Sequence, residues 1–401
     1  MYGAWRREKV SDVVSRPFIP IARPFTGAQE ADAVRRVLAS GWMTQGPEVA
    51  AFEAEFASCV GAPFACAVSS GTTALHLALL GAGVRPGDEV ITVSHSFIAT
   101  ANAVRYCGAT PVFVDIDPAT YNIDPGLVDA AVGPRTRAIL GVHQLGMPCD
   151  LAALAAVARR HGVPLVEDAA CASGSEVLWN GEWQRIGRPH GEVACFSFHP
   201  RKLLSTGDGG MIVTRDAALD RQFRLLRQHG MTTSDRERHA AAGVTIESYA
   251  MLGFNYRLTD IQAAIGREQL RRLPAMIERR RTLAAHYAER LAPVPGLLLP
   301  HEPSWARSNF QSYCVRLPDG CDQRSIMQRL LDQGIATRRG VMCAHREPAY
   351  ATEPWIPGSS LRHSEAAQDR CVLLPLFHEM TDDDQARVTE ALRGACVAAA
   401  V

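Results

Sequence analysis

From about Gly61 to Thr214 the chain alternates short, continuous apolar runs with longer segments of helical period. The apolar runs predict strands at Glu89–Val93, Pro111–Asp115, Arg137–Val142, Pro164–Asp168, Val193–Ser197 and Gly210–Thr214. Helical patterns between the early runs cover Thr72–Leu80, Phe97–Cys107, Pro125–Val132 and Leu151–His161. Uninterrupted apolar strands separated by helices indicate an α/β fold, with a mostly parallel central sheet covered on both faces. Farther on, one long helix is predicted over Thr259–Leu291, with a kink at Pro274. A proline-rich connector follows from Pro293 to Pro303. A strand-like Ser312–Leu317 and helix-like Gln323–Gln333 and Asp382–Val397 then suggest a smaller α+β C-terminal domain. The expected division is a large ligand-binding domain with an N-terminal arm over residues 1–270. Residues 271–401 are the small domain, including the connecting helix.

Composition narrows the function classes. A chain of 401 residues fits about two or three domains. Lysine plus arginine equals aspartate plus glutamate, 42 against 42, so no basic surplus advertises nucleic acid or an anionic membrane. No apolar run approaches the length of a membrane span, and Met1 to Arg16 lacks the apolar region of a signal peptide. The 11 cysteines are scattered without a Cys-x-x-Cys pair, which argues against a zinc ribbon. They read as reduced thiols, so a cytoplasmic location is expected.

The chemistry concentrates in Phe196-Ser197-Phe198-His199-Pro200-Arg201-Lys202, closed by Thr206-Gly207-Asp208-Gly209-Gly210. A lysine follows one apolar run and leads into a glycine-dense turn before the next. Upstream, Pro164-Leu165-Val166-Glu167-Asp168 is a strand ending in two carboxylates. A lysine and a strand-end aspartate are what pyridoxal 5'-phosphate (PLP) needs. The amine joins its aldehyde, and the carboxylate keeps the pyridine nitrogen protonated. Each residue also has a plainer reading: Lys202 as a solvated lysine, Asp168 as a cap or turn residue. Ser69-Ser70-Gly71-Thr72-Thr73-Ala74-Leu75 enters a helix through small residues, which suits a phosphate at the helix start or a simple N-cap. Gly81-Ala82-Gly83-Val84-Arg85-Pro86-Gly87 imitates a dinucleotide loop. It follows a helix and precedes a strand, the reverse of the required order, so it reads as a helix end and turn.

Together these residues resemble the DegT/DnrJ/EryC1/StrS aminotransferases, fold-type I PLP enzymes that aminate nucleotide-linked keto sugars and some keto-cyclitols. The resemblance also rests on Ser40-Gly41-Trp42, Gln45-Gly46-Pro47, His95-Ser96-Phe97-Ile98-Ala99-Thr100, Val166-Glu167-Asp168-Ala169-Ala170 and Gly253-Phe254-Asn255-Tyr256-Arg257. It implies that Lys202 carries the cofactor aldehyde and Asp168 pairs with the pyridine nitrogen. By the same resemblance Gly71, Thr72 and Ser197 bind the phosphate, and Phe97 stacks on the ring. Asn255 reaches the phosphate of the neighbouring subunit, so a homodimer with shared sites is implied. The family often has glutamine near the ring hydroxyl where this chain has Cys171, a poor hydrogen-bonder. The implied reaction moves an amino group from glutamate or glutamine to a keto sugar. A keto-cyclitol acceptor, or a dehydratase or lyase reaction on the same fold, remains an alternative, as does a non-catalytic regulator. The 232–246 segment and the Arg338-Arg339 pair are expected near the acceptor.

Overall fold

The apolar runs form strands β1 (Phe64–Val68), β2 (Glu89–Val93), β3 (Thr110–Val114), β4 (Thr136–Val142), β5 (Leu165–Asp168), β6 (Glu176–Trp179), β7 (Glu182–Arg185), β8 (Val193–Ser197), β9 (Gly210–Thr214), β10 (Ala306–Arg307), β11 (Tyr313–Arg316), β12 (Arg338–Arg339), β13 (Ile356–Pro357) and β14 (Cys371–Leu374). These come from a computed structural model, which describes residues 17–233, 238–239, 242–244 and 246–397. The large sheet has the order β1-β9-β8-β5-β4-β2-β3-β13. Only β9 runs against its neighbours β1 and β8; the other pairings are parallel.

Side-chain alternation buries both faces of this sheet. Ala65, Ala67, Ile91, Val93, Ala194 and Phe196 pack with Phe52 and Phe56 of the Pro47–Val60 helix on one face. Cys66, Val68, Val90, Val193 and Cys195 pack on the other, with Leu75 and Ala78 of the Gly71–Gly81 helix and Val104 of the Ala99–Tyr106 helix. A second core gathers Leu283, Tyr287, Tyr313, Val315, Leu330, Val372 and Leu392, and Ile19 near the start of the chain joins it. The small sheet β11-β14-β12 lies over that core. The Asp260–Leu291 helix runs through Pro274 and contributes to both cores. β13 returns from the later part of the chain to extend the large sheet beside β3.

β1 is missing from the predicted strands because Phe-Ala-Cys-Ala-Val carries little β-branched or aromatic character. The Ala28–Ser40 and Pro47–Val60 helices were also not signalled. They start at Gly27 and Gly46 rather than at a Ser, Thr, Asp or Asn cap. The false dinucleotide loop is indeed a helix end: the Val84 N–H donates to the Leu79 carbonyl, and Gly83 has φ +80°.

One polar lock fixes β1, the strand that leads into the Gly71 helix. Glu53 Oε1 accepts from the Ala67 N–H (2.9 Å) and from Arg227, while Oε2 accepts from Arg224 (2.7 Å). The same arginines donate to the Ala65 and Ala67 carbonyls at 2.8 and 2.7 Å. Burial alone would raise the Glu53 carboxyl, but Arg227 and Arg224 outweigh it and hold the group below its ordinary value. Removing the carboxylate leaves a buried guanidinium uncompensated. Glu53→Ala is expected to lower stability by about 3–5 kcal/mol, read as a fall in the urea unfolding midpoint.

Candidate active site

Strand register decides which carboxylate faces the site. In β5, Glu167 points to the same face as Leu165, where it accepts from the Gly191 N–H (2.9 Å) and meets His143 Nε2 (3.1 Å). Asp168 points to the opposite face, which carries the Gly71–Gly81 and Ala99–Tyr106 helices. Asp168 is 5% exposed. Its Oδ2 accepts from the Thr100 hydroxyl (2.7 Å) and its Oδ1 from the Ala170 N–H (3.2 Å). The Ser96 hydroxyl donates to Thr100 Oγ1 (2.7 Å), which keeps the threonine proton aimed at the carboxylate. No cation pairs with Asp168 among the described residues. Burying a carboxylate without one is costly.

Ser197 ends β8 on the same face as Asp168. The Gly71–Gly81 helix begins against it: a Cβ on Gly71 would lie 2.7 Å from Ser197 Cβ and 3.2 Å from its Oγ. Glycine is required there by close approach. A Cβ on Gly210 would likewise overlap the Ser70 carbonyl, so the turn after Lys202 is seated on the same helix start. The Ser70 hydroxyl takes the Thr73 N–H (3.1 Å), which leaves the Gly71 and Thr72 N–H groups pointing out of the helix end. The cap reading is met by the Thr73 N–H, and the Gly71 and Thr72 N–H groups stay available to an anion.

The Lys202 amine donates to Cys171 Sγ at 3.0 Å. The lysine backbone is held by Gln311, which no sequence pattern marks. Gln311 donates to the Arg201 carbonyl (2.6 Å) and accepts from the Leu203 N–H (2.8 Å). Two residues earlier, Asn309 donates to the Cys171 and Ser173 carbonyls, both at 2.9 Å. Its Oδ1 accepts from the Gln311 N–H (2.8 Å). Between them Phe310 adopts φ +47°, a left-handed conformation uncommon for a bulky residue. This strap joins the two loops that carry Cys171 and Lys202. No spacing rule marks an Asn-Phe-Gln stretch, and Thr100 stood out only as part of a longer motif.

Phe97 is 61% exposed and stands just before the Ala99–Tyr106 helix, one turn from Thr100. Asn255 is exposed and bridges to Gln228, and no contact joins it to Lys202 or Asp168 of its own chain among the described residues. Arg338 and Arg339 occupy β12, but Arg339 is ion-paired with Glu347 at 2.7 Å. The 232–246 segment lies in part outside the described residues.

Residues 24–393 match the DegT/DnrJ/EryC1/StrS aminotransferase family. The chain belongs to this family. Over 380 residues it is 38% identical to the spore coat polysaccharide biosynthesis protein SpsC of Bacillus subtilis strain 168, covering 94% of this chain and 96% of that protein. It is similar to the aminotransferase TlmJ of Streptoalloteichus hindustanus, with 37% identity and a TM-score of 0.87 over 96% of this chain and 100% of that one. It is also similar to DesI, solved in the presence of its TDP-sugar product, with 33% identity and a TM-score of 0.84 over 96% of this chain and 94% of that one.

As a member of the family the protein is a PLP-dependent aminotransferase. The residues fit that cofactor. A buried carboxylate lacking a cation suits a pyridinium, a crowded glycine–serine cradle at a helix start suits a phosphate, and a nearby lysine supplies the amine.

Two outcomes follow. Gly71→Ala forces Ser197 or the helix start to move, so PLP affinity should fall about 10- to 100-fold, measured by titrating PLP into apoprotein. The second concerns His95, beside Ser96. It is 1% exposed, and neither ring nitrogen has a partner among the described residues. Burial pushes its imidazole down to about 4, with Asp115 acting weakly the other way. The unfolded chain therefore takes up a proton below about pH 6.5 that the folded chain refuses until about pH 4. Stability should fall as pH drops through that window, by roughly 2 kcal/mol between pH 7 and pH 5 from this residue. Urea unfolding at both pH values should show that much smaller a fall in His95→Asn.

Proposed function

We propose that the protein transfers an amino group from glutamate or glutamine to a keto sugar carried on a nucleotide, as a homodimer with shared sites. The observation that carries the acceptor class is the likeness to DesI over nearly the whole of both chains, DesI having been solved with its TDP-sugar product. The kinship with SpsC, a polysaccharide biosynthesis protein, supports the same class. Exposed Asn255 supports the shared site, because it stands on a surface with exposed Tyr249, Met251 and Leu252.

Bound PLP supplies an aldehyde that an amine can occupy and a protonated ring that draws electrons from the adjoining carbon. The protein's part is proton handling and orientation. Asp168 Oδ1 and Oδ2 hold the proton on the ring nitrogen, and Thr100 fixes the carboxylate plane. Gly71, Thr72 and Ser197 anchor the phosphate, and Phe97 covers one ring face. Lys202 Nζ would hold the cofactor and, as a free amine, would accept the proton from the donor's α-carbon and return one in the second half of the cycle. Gln311 and Asn309 keep that amine within reach, so part of the barrier is met by position alone.

Lys202→Ala should lose the visible absorbance of the bound cofactor and lower turnover about a thousandfold or more. The acceptor class is tested with a panel of nucleotide-linked keto sugars and free keto-cyclitols. One equivalent of 2-oxo acid should appear per amino sugar formed. Amination of the cyclitols alone, or release of water or ammonia without 2-oxo acid, would sink the reading.

A further inference from the structure

Helical spacing puts one arginine where an apolar residue belongs. In the Asp260–Leu291 helix, Leu273, Met276 and Ile277 pack in the core of the large sheet, and Leu283, Ala284 and Tyr287 pack in the second core. Arg280 lies on the same stripe, three residues after Ile277 and three before Leu283, and is 5% exposed. No carboxylate pairs with it among the described residues, and its Nε has no partner there. Burial pushes its guanidinium down to about 10, and no opposite charge acts against that. A leucine or methionine would carry the stripe from one core to the other without burying a charge.

The hydrogen bonds of Arg280 show what the charge is used for. Its Nη1 donates to two successive carbonyls, Phe310 at 3.3 Å and Gln311 at 3.0 Å. No other donor meets either carbonyl among the described residues. Phe310 is the residue with φ +47°, so the guanidinium holds the strap at its strained point. The next residue, Arg281, donates to the Ser308 carbonyl at 3.0 Å, with Glu176 3.6 Å away. The helix thus grips the strap at both ends. Gln311, whose backbone carbonyl Arg280 holds, uses its side-chain amide on the Arg201 carbonyl (2.6 Å) and the Leu203 N–H (2.8 Å). These belong to the two peptide groups that flank Lys202.

We propose that Arg280 is a positioning residue for Lys202: seated between the two cores, it clamps the Phe310 and Gln311 carbonyls and so fixes the side-chain amide that seats both peptide groups of the lysine. The proposal rests on Lys202 being the reacting amine and not on the identity of donor or acceptor. One amide can hold two peptide groups only while its own backbone is fixed, because a small rotation at Gln311 takes both bonds out of line. A charged donor makes the stronger bond to a carbonyl, and the dry surroundings strengthen it further. A misplacement of the reacting amine by about 1 Å costs on the order of a hundredfold in rate, so the clamp bears on turnover without touching a substrate.

The test compares holoenzyme carrying Arg280→Gln, Arg280→Lys or Gln311→Ala with the double variant Arg280→Gln and Gln311→Ala. In Arg280→Gln, kcat should fall about 10- to 100-fold with both KM values within about threefold of the parent. The pH at which the lysine-bound cofactor changes its visible absorbance should move as well. Amide exchange read by mass spectrometry should quicken about tenfold or more in the peptide around Leu203, and stay at the parent rate in β4 and β5. Arg280→Lys keeps a cationic donor and should recover most of the lost turnover. The double variant should be within about twofold of the slower single one, because both changes act through the same amide. A lower urea midpoint with kcat, absorbance and exchange unchanged overturns the proposal and leaves Arg280 a purely structural group. Losses that multiply in the double variant, or a Gln311→Ala enzyme with the parent's turnover and absorbance, overturn it too. If Arg280→Gln does not fold, Arg280→Met, which completes the apolar stripe, is read in its place with the same outcomes. Cofactor absorbance retained in Lys202→Ala would instead sink the assignment of the reacting lysine, whatever the Arg280 variants do.

Discussion

A carboxylate buried at the end of a parallel strand, with two hydrogen bonds and no cation, is the constraint on which this site depends. Asp168 is tolerable in the folded protein because Thr100 and the Ala170 N–H satisfy part of its bonding capacity. The rest is left for a bound cation. The two-residue period of β5 puts that demand on one face only and hands Glu167 to the other, where His143 and Gly191 meet it. Ser197 at the end of β8 follows the same parity. The Gly71–Gly81 helix is brought against Ser197 by a glycine with no room for a Cβ. The candidate site residues thus come from the ends of separate strands, where open α/β sheets hold their ligands.

The strand-helix alternation was legible because buried parallel strands are uninterrupted apolar runs, and six of them appear where expected within a residue or so. Lys202 and Asp168 could be singled out because few residue types suit the chemistry expected of them, and the structure shows Asp168 buried with no cation among the described residues and the Lys202 amine beside Cys171. The reversed direction of β9 was not, since apolar runs carry no direction. Nor was β13, a two-residue strand whose place depends on the whole chain folding back. Cys171 was singled out by its departure from a family pattern, and the structure gives it a partner, the Lys202 amine. Gln311 and Asn309 reach the lysine and Cys171 loops through hydrogen bonds across more than 100 positions of sequence. Pattern reading has no access to such pairs.

The second core matters to catalysis through its edges rather than its interior. Asn309, Phe310 and Gln311 lead straight into β11, so the segment that fixes the lysine loop is continuous with the small sheet. His345 adds another tie: its N–H donates to the Ser94 hydroxyl at 3.1 Å, just before the stretch that carries Phe97. Two contacts from the later part of the chain, the Asn309–Gln311 strap and His345, therefore converge on loops at the strand ends of the large sheet. A shift of the small sheet would move the lysine backbone and the Phe97 loop together. The placement of Lys202 is thus tied to the small sheet through two side-chain amides, so any motion of that sheet is felt at the lysine backbone.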